Sequence, residues 1–79
     1  MNPDDVKALL EEKLIDCQIT VTTEGGHFNI EVVGDVFAGK RPVQRQQLVY
    51  SALSEQIASG VIHAVNMKIY THQEWQQRS

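Results

Sequence analysis

The sequence contains only one cysteine, few aromatic residues and no long hydrophobic run. A single thiol, Cys17, excludes a disulfide within the chain and is typical of a reducing compartment. No stretch approaches the roughly 20 apolar residues of a membrane helix, and none resembles a signal peptide, so we expect a cytoplasmic protein without membrane contact. Seven basic residues stand against ten acidic ones, a net charge of −3. This balance argues against tight nonspecific binding to nucleic acid, which depends on phosphate neutralisation by lysine and arginine.

The length of the chain limits it to one modest core. It has 79 residues, of which 42% are hydrophobic and 22% charged, and these are ordinary proportions for a globular protein. A chain of this size buries roughly 60% of the surface that its unfolded form exposes. We therefore predict a single domain over residues 1–79.

Helix signals occur at both ends of the sequence and in its middle. Asn2 can cap a first helix, and Pro3 suits the first turn of that helix. The main helix is predicted over residues 42–60, since it begins at a proline and ends at a glycine. Thr71, with Glu74 three residues later, predicts a capping box at the start of a short terminal helix.

Three segments alternate between apolar and polar residues, as strands do. The first two, residues 17–23 and 27–33, flank Glu24-Gly25-Gly26, which predicts a tight hairpin because glycine tolerates positive φ. The third strand lies within residues 61–70. A helical crossover between the second and third strands makes them parallel neighbours. The predicted class is therefore α+β, in the order α-β-β-α-β-α, with a three-stranded mixed sheet, helices on one face and a polar open face on the other.

The segment GDVFAGKR, residues 34–41, is close to a phosphate-binding P-loop but lacks its hydroxyl. A P-loop has Ser or Thr after the lysine to bind magnesium, whereas this chain has Arg41 and Pro42. Val36 and Phe37 are bulky, and we expect both to turn inward rather than leave a slim phosphate loop. The segment is interpreted as a turn into the main helix, without a nucleotide.

The run HFNIEVVGDVFAGKRPVQRQQLVYSAL, followed by GVIHAV and a terminal EW, resembles the BolA family. The likeness extends over nearly the whole chain and is strongest to the bacterial branch of IbaG-like acid-stress proteins. Its most specific elements are Phe37-x-Gly39, Arg45 and the tripeptide Ile62-His63-Ala64. The resemblance implies a fold related to the class II KH domain and a protein that is not an enzyme. In agreement, the sequence shows no nucleophile–base or carboxylate pair at an informative spacing.

Two activities are implied by this resemblance. The first is partnership with a monothiol glutaredoxin and its glutathione, in which the two proteins hold a [2Fe-2S] cluster between them. The second is DNA binding and transcriptional control through the KH-like fold. A third reading also stays open, in which the protein is an adaptor that binds the glutaredoxin without metal.

The cluster ligands implied by the resemblance are histidines. The histidine of the family's IHA tripeptide is a ligand, which corresponds to His63. Many members supply a second His or Cys from the first hairpin loop, but the short loop here contains neither, and His27 at its edge is the nearest candidate. If the second and third strands are parallel, His27 and His63 start at the same end of the sheet, where neighbouring strands are roughly 5 Å apart. Cys17 would then lie at the opposite end, on the order of 20 Å away, as a half-buried apolar residue.

Two histidines leave part of a tetrahedral coordination shell to another molecule. An iron with two histidine ligands is chemically sound, as Rieske centres show, and the glutaredoxin and its glutathione would supply thiolates to the other iron. We expect no cofactor in the isolated protein, and we expect that protein to be a monomer. Because histidine binds metal in its deprotonated form, cluster binding should weaken in acid.

Lys40, Arg41 and Arg45 form the candidate nucleic-acid surface of the alternative function. They cluster at the start of the main helix, where backbone N–H groups also favour phosphate. The GxxG loop with which KH domains clamp a nucleic-acid backbone is absent from the sequence. Three cations on an acidic chain predict only weak, salt-sensitive contact with DNA.

Overall fold

The computed structural model describes residues 2–78, so residues 1 and 79 of the predicted domain lie outside the described part. Its elements are α1 (Pro3–Lys13), β1 (Gln18–Glu24), β2 (His27–Val33), a 3₁₀ turn (Asp35–Phe37), α2 (Pro42–Ser51), α3 (Ser54–Ala58), β3 (Val65–Tyr70) and α4 (His72–Gln77). The sheet has the order β1-β2-β3, with β1 antiparallel and β3 parallel to β2. The predicted α+β class and mixed three-stranded sheet are confirmed.

The first hairpin has the tight turn that its glycines predict. Glu24 pairs with His27, which leaves only Gly25 and Gly26 in the turn. Both glycines have positive φ, 58° and 84°, the combination that a type I′ hairpin turn requires. The turn sets the register of the two strands, and a slip by one residue would move the apolar side chains of β1 to the solvent face.

One hydrophobic core lies between the helices and one face of the sheet. The inward strand residues are Ile19, Phe28, Ile30 and Val32, and they pack with Val6, Leu10, Leu14, Phe37, Val49, Ala52, Leu53 and Ile62. The opposite face carries the predicted polar residues Gln18, Thr20, Thr22, Asn29, Glu31, Asn66 and Lys68, all exposed or half-buried. On this face the Asn66 side-chain amide donates to Asn29 Oδ1 at 3.1 Å, which links β3 to β2.

The prediction of one main helix over residues 42–60 is wrong, because the segment divides into α2 and α3. At the break, the N–H groups of Ala52 and Leu53 donate to carbonyl groups three residues back, at 3.1 and 3.0 Å. The Ser51 hydroxyl donates to the Leu48 carbonyl at 2.8 Å, which is the oxygen that the Ala52 N–H would use in a regular α-helix. Leu53 is fully buried at this break.

The P-loop-like segment forms the predicted turn into α2. Phe37 is fully buried whereas Val36 is 47% exposed, so the expectation that both turn inward is right for Phe37 and wrong for Val36. A 3₁₀ turn has about three residues per turn, which points consecutive side chains in different directions. Gly39 has a φ of +76°, a conformation that favours glycine, and the chain then enters α2 at Pro42.

Candidate metal-binding site

The structure brings the two predicted histidines to one end of the sheet. His27 is the first residue of β2, and His63 lies in the loop before β3. The two strands are parallel, with Phe28 opposite Val65, and the Phe28 N–H donates to the Ala64 carbonyl at 3.0 Å. The residues that directly follow the two histidines are therefore hydrogen-bonded to each other. Both histidine residues are exposed to solvent.

The loop that presents His63 is fixed on both sides. On one side, Ile62 is 1% exposed, and its N–H donates to the Gln56 carbonyl at 3.1 Å. On the other side, Ala64 is bonded to β2 as described above. The imidazole also lies beside Gly60, since a Cβ built on that glycine would be 3.8 Å from His63 Cε1. An exposed side chain on a fixed backbone suits a ligand that must meet a partner molecule.

The described part of the chain does not complete a metal site by itself. Within residues 2–78, no group of three or more His, Cys, Asp or Glu side chains is placed to hold a metal ion. A tetrahedral iron bound by His27 and His63 would need two further ligands.

Cys17 lies at the opposite end of the sheet, as predicted. It directly precedes Gln18, which pairs with Val33 at the far end of β2 from His27. Its thiol lies against Gly34, since a Cβ added to that glycine would be only 2.5 Å from Cys17 Sγ. Burial raises the pKa of the Cys17 thiol, and the negative charge of Asp16 adds to this. Because it lies at the far end of β2 from His27, Cys17 is not placed to share a metal ion with the two histidines.

The three candidate nucleic-acid contacts do not form one free basic patch. The Arg45 guanidinium makes a two-point ion pair with Glu74, at 2.6 Å from Nη1 to Oε1 and 3.3 Å from Nη2 to Oε2. Its Nε also donates to the Lys40 carbonyl at 3.0 Å. Only 15% of the Arg45 side chain is exposed, whereas Lys40 and Arg41 are exposed. The structure therefore leaves two of the three cations open to a ligand.

Glu74 links the start of α2 to the start of α4. The sequence predicted its part in the capping box of α4 but not its ion pair with Arg45 of α2. The predicted capping box is present, since Glu74 Oε1 accepts from the Thr71 N–H at 2.8 Å and Thr71 Oγ1 accepts from the Glu74 N–H at 3.2 Å. The same carboxylate binds Arg45, which lies 29 residues earlier in the chain. The hydrogen bonds from Arg45 and from the Thr71 backbone hold the pKa of Glu74 below its usual range.

These features define a small α+β domain that presents a pair of histidines on its surface, at one end of a mixed sheet. Within residues 2–78, no helix has the length and apolar content needed to cross a membrane. The chain belongs to the BolA family, since the model of the BolA-like protein family matches residues 6–74. The predicted family resemblance is confirmed.

Known proteins of two kinds resemble the chain. The acid stress protein IbaG of Escherichia coli K12 is 39% identical over 75 residues, which cover 95% of this chain and 89% of IbaG. The DNA-binding transcriptional regulator BolA of Vibrio cholerae is 49% identical over 51 residues, which cover 65% of this chain and 47% of that protein. Among solved structures, a BolA homologue from Coxiella burnetii has a TM-score of 0.85 and 31% identity, and the match covers 98% of this chain and 99% of the homologue.

Proposed function

We propose that this protein is a non-enzymatic, cytoplasmic partner of a monothiol glutaredoxin. In this proposal it helps to hold or transfer a [2Fe-2S] cluster that the two proteins share, as part of iron–sulfur and iron homeostasis under stress. The observation that carries the proposal is the pair of exposed histidines at one end of two adjacent parallel strands, with no group of three or more metal-ligating side chains in residues 2–78. The likeness to an acid stress protein supports the stress-response part of the proposal.

His63 and His27 would bind one iron through their neutral imidazoles, and the glutaredoxin and its glutathione would bind the other through thiolates. The cluster is the cargo of this arrangement, and its two irons provide the coordination positions that link the proteins. The buried Ile62 anchors the backbone next to His63, and the exposed His63 side chain can be reached by a second protein. Because imidazoles must be deprotonated to bind metal, acid should favour release of the cargo.

The test is to mix the protein with cluster-loaded monothiol glutaredoxin and to record visible absorption and circular dichroism. We expect a new cluster spectrum with the wild type, its loss in His63→Ala, and a reduced effect in His27→Ala. His72→Ala is the matched control, since His72 follows β3 at the other end of that strand and its substitution should leave the spectrum unchanged. A spectrum that is identical in wild type and His63→Ala would contradict the ligand role of His63.

A calorimetric titration separates the metal-free adaptor from the cluster partner. Under the proposal, His63→Ala binds cluster-loaded glutaredoxin more weakly than the wild type does. An adaptor without metal would bind the glutaredoxin equally well with and without the cluster, and His63→Ala would not change the affinity. That result would replace the cluster proposal.

The alternative function is DNA-binding transcriptional regulation through Lys40, Arg41 and Arg45. The similarity to the transcriptional regulator of Vibrio cholerae favours it, but the engagement of Arg45 by Glu74 and the net charge of −3 weigh against it. Submicromolar, sequence-selective binding to DNA near physiological salt would support this function, if a Lys40→Glu, Arg41→Glu variant lost it. Weak binding without sequence selectivity would count against it.

A further inference from the structure

The inner side of β3 is less well covered than that of β2. None of the inward residues of β2 is more than 7% exposed, whereas Met67 and Ile69 of β3 stay half-buried at the edge of the core. α2 packs beside β3, but a groove of about 270 Å³ remains between them. Met67, Ile69 and Tyr70 line this groove on the side of the strand, and Pro42 and Gln46 line it on the side of the helix.

The apolar surface continues across α2. Val43 is 62% exposed and Tyr50 is 48% exposed, and since they are seven positions apart they share one face of the helix. Both line a second groove of about 380 Å³, together with Gln46. Because Gln46 lines both grooves, they adjoin and form one surface, the α2–β3 groove.

The charges of the two elements that form the groove are positive. α2 and the four residues before it contain three cations and no acid, and Lys68 is the only charged residue of β3. Glu74 neutralises Arg45, but Lys40 and Arg41 are exposed directly before the first residue of α2. The chain as a whole has a net charge of −3, so its acids lie mainly elsewhere. Charge complementarity therefore favours an acidic occupant.

The edge of β3 specifies an extended occupant and its pattern. β3 is an outer strand of the sheet, so one row of its backbone groups can pair with an added strand. Side chains of an added strand alternate between the two faces of the sheet. On the inner face they would meet Met67 and Ile69, which favours apolar residues. On the open face they would meet Lys68, which has Glu31 beside it on β2, so an acidic residue on its other side continues the alternation of charge.

We infer that the α2–β3 groove binds an extended protein segment in which apolar residues alternate with acidic ones. The segment pairs with β3 as a fourth strand of the sheet. Its apolar side chains cover the half-buried residues of β3 and the exposed apolar residues of α2, and its acidic side chains lie beside Lys68. Lys40 and Arg41 attract further acidic residues at the end of the groove where α2 begins.

Nucleic acid fits this surface less well than a peptide does. Its affinity depends on cations that neutralise phosphates, and Arg45, a cation that lines the groove, is already bound to Glu74. A nucleic acid also has no backbone groups that pair with a strand edge, and it would leave the apolar residues of β3 without partners.

The test is an NMR titration of the isolated full chain at physiological salt with three N-acetylated octapeptides, which alternate valine with glutamate, valine with lysine, and serine with glutamate. The valine–glutamate peptide should shift amides of β3 and α2, with a Kd between about 10 µM and 1 mM. The valine–lysine peptide should bind about fivefold more weakly or less, and the serine–glutamate peptide about tenfold more weakly or less, since it buries no apolar side chain. The cluster is absent and neither His27 nor His63 lines the groove, so this inference and the proposed cluster function fail independently.

Lys68→Glu should reverse the preference, so that the valine–lysine peptide binds more tightly than the valine–glutamate peptide. Lys7→Glu makes the same change of charge at an exposed position of α1, outside the groove, and should leave the preference as in the wild type. Lys68→Glu places a second acid beside Glu31, so thermal unfolding checks its fold. Lys68→Gln adds no charge there and should bind the two peptides with a smaller difference than the wild type does.

Four results would overturn the inference. The first is no binding of the valine–glutamate peptide up to about 1 mM, and the second is equal binding of the three peptides. The third is a set of shifts confined to a surface other than β3 and α2, or a preference that neither substitution of Lys68 changes. The fourth is duplex DNA that shifts the same amides and binds more tightly than the peptide, which would assign the groove to nucleic acid.

Discussion

Replacement of Gly34 by alanine should create a clash with the thiol of Cys17. The glycine is buried, with an extended backbone at φ −173° and ψ 150° that alanine also adopts. The substitution therefore adds no backbone strain. An added Cβ would, however, lie 2.5 Å from Cys17 Sγ and 3.4 Å from Cys17 Cβ. The first distance is far inside the roughly 3.5–4.0 Å of a normal contact, so one of the two residues must move.

The expected cost follows from how the clash can relax. Cys17 can rotate its thiol away, but Sγ then leaves its half-buried position beside the Ile15 carbonyl, 3.7 Å away. Overpacking in protein cores costs about 1–3 kcal/mol, and the small, mobile thiol favours the lower part of this range, about 1–2 kcal/mol. A domain of this size has an unfolding free energy of about 4–12 kcal/mol, at roughly 0.05–0.15 kcal/mol per residue. The loss is therefore measurable without unfolding the protein.

Urea unfolding, followed by Trp75 fluorescence and circular dichroism, measures this loss. With a denaturant slope of about 1 kcal/mol per M, the midpoint should fall by about 1–2 M in Gly34→Ala. Cys17→Ala is the matched background, since it removes Sγ and leaves Cys17 Cβ at 3.4 Å as the nearest atom. In that background Gly34→Ala should cost less than about 0.5 kcal/mol, which gives a coupling energy of about 1 kcal/mol. An equal cost in both backgrounds would refute the steric argument.

Ile62→Val removes one methyl group from a fully buried side chain and should lower the free energy of urea unfolding by about 0.5–1.5 kcal/mol, whereas the exposed Val61→Ala should change it by less than about 0.5 kcal/mol. Equal effects of the two would contradict the burial of Ile62. Arg45 holds the pKa of Glu74 below its usual range, so the ion pair stabilises the fold at neutral pH, and this stabilisation is lost as the pH falls through and below about 4.3. In Glu74→Gln the melting temperature should therefore fall less steeply as the pH is lowered from neutral. An unchanged pH dependence would contradict the role of the ion pair. Burial raises the pKa of the Cys17 thiol, so iodoacetamide should react more slowly with the folded protein than with the urea-unfolded protein at neutral pH; equal rates would argue against a protected thiol.

The position of the candidate site was predictable because it follows from topology. A helical crossover between two strands makes them parallel, and parallel neighbours begin at the same end of the sheet. That rule places His27 and His63 together, and the pairing of Phe28 with Val65 bears it out. The burial of Ile62 next to His63, with its N–H bonded to the Gln56 carbonyl, was not predictable, since it depends on how the loop packs against α3.

Local sequence patterns determined the three strands, the hairpin turn and the starts of α1, α2 and α4. The caps at Asn2 and Thr71 and the Gly25-Gly26 turn are interactions between residues a few positions apart, so a local pattern is enough to specify them. The alternation of apolar residues likewise assigned one face of each strand to the core.

Only the tertiary structure decided the contacts between distant segments. No local pattern states that Arg45 binds Glu74 rather than a phosphate, or that Cys17 packs against Gly34. The break after Ser51 was also decided by the tertiary structure. A serine in a helix can either face solvent or bond back to a carbonyl, so its presence does not predict a break. The burial of Leu53 depends on the packing of the helices on the sheet. Such choices depend on distances that exist only once the chain has folded.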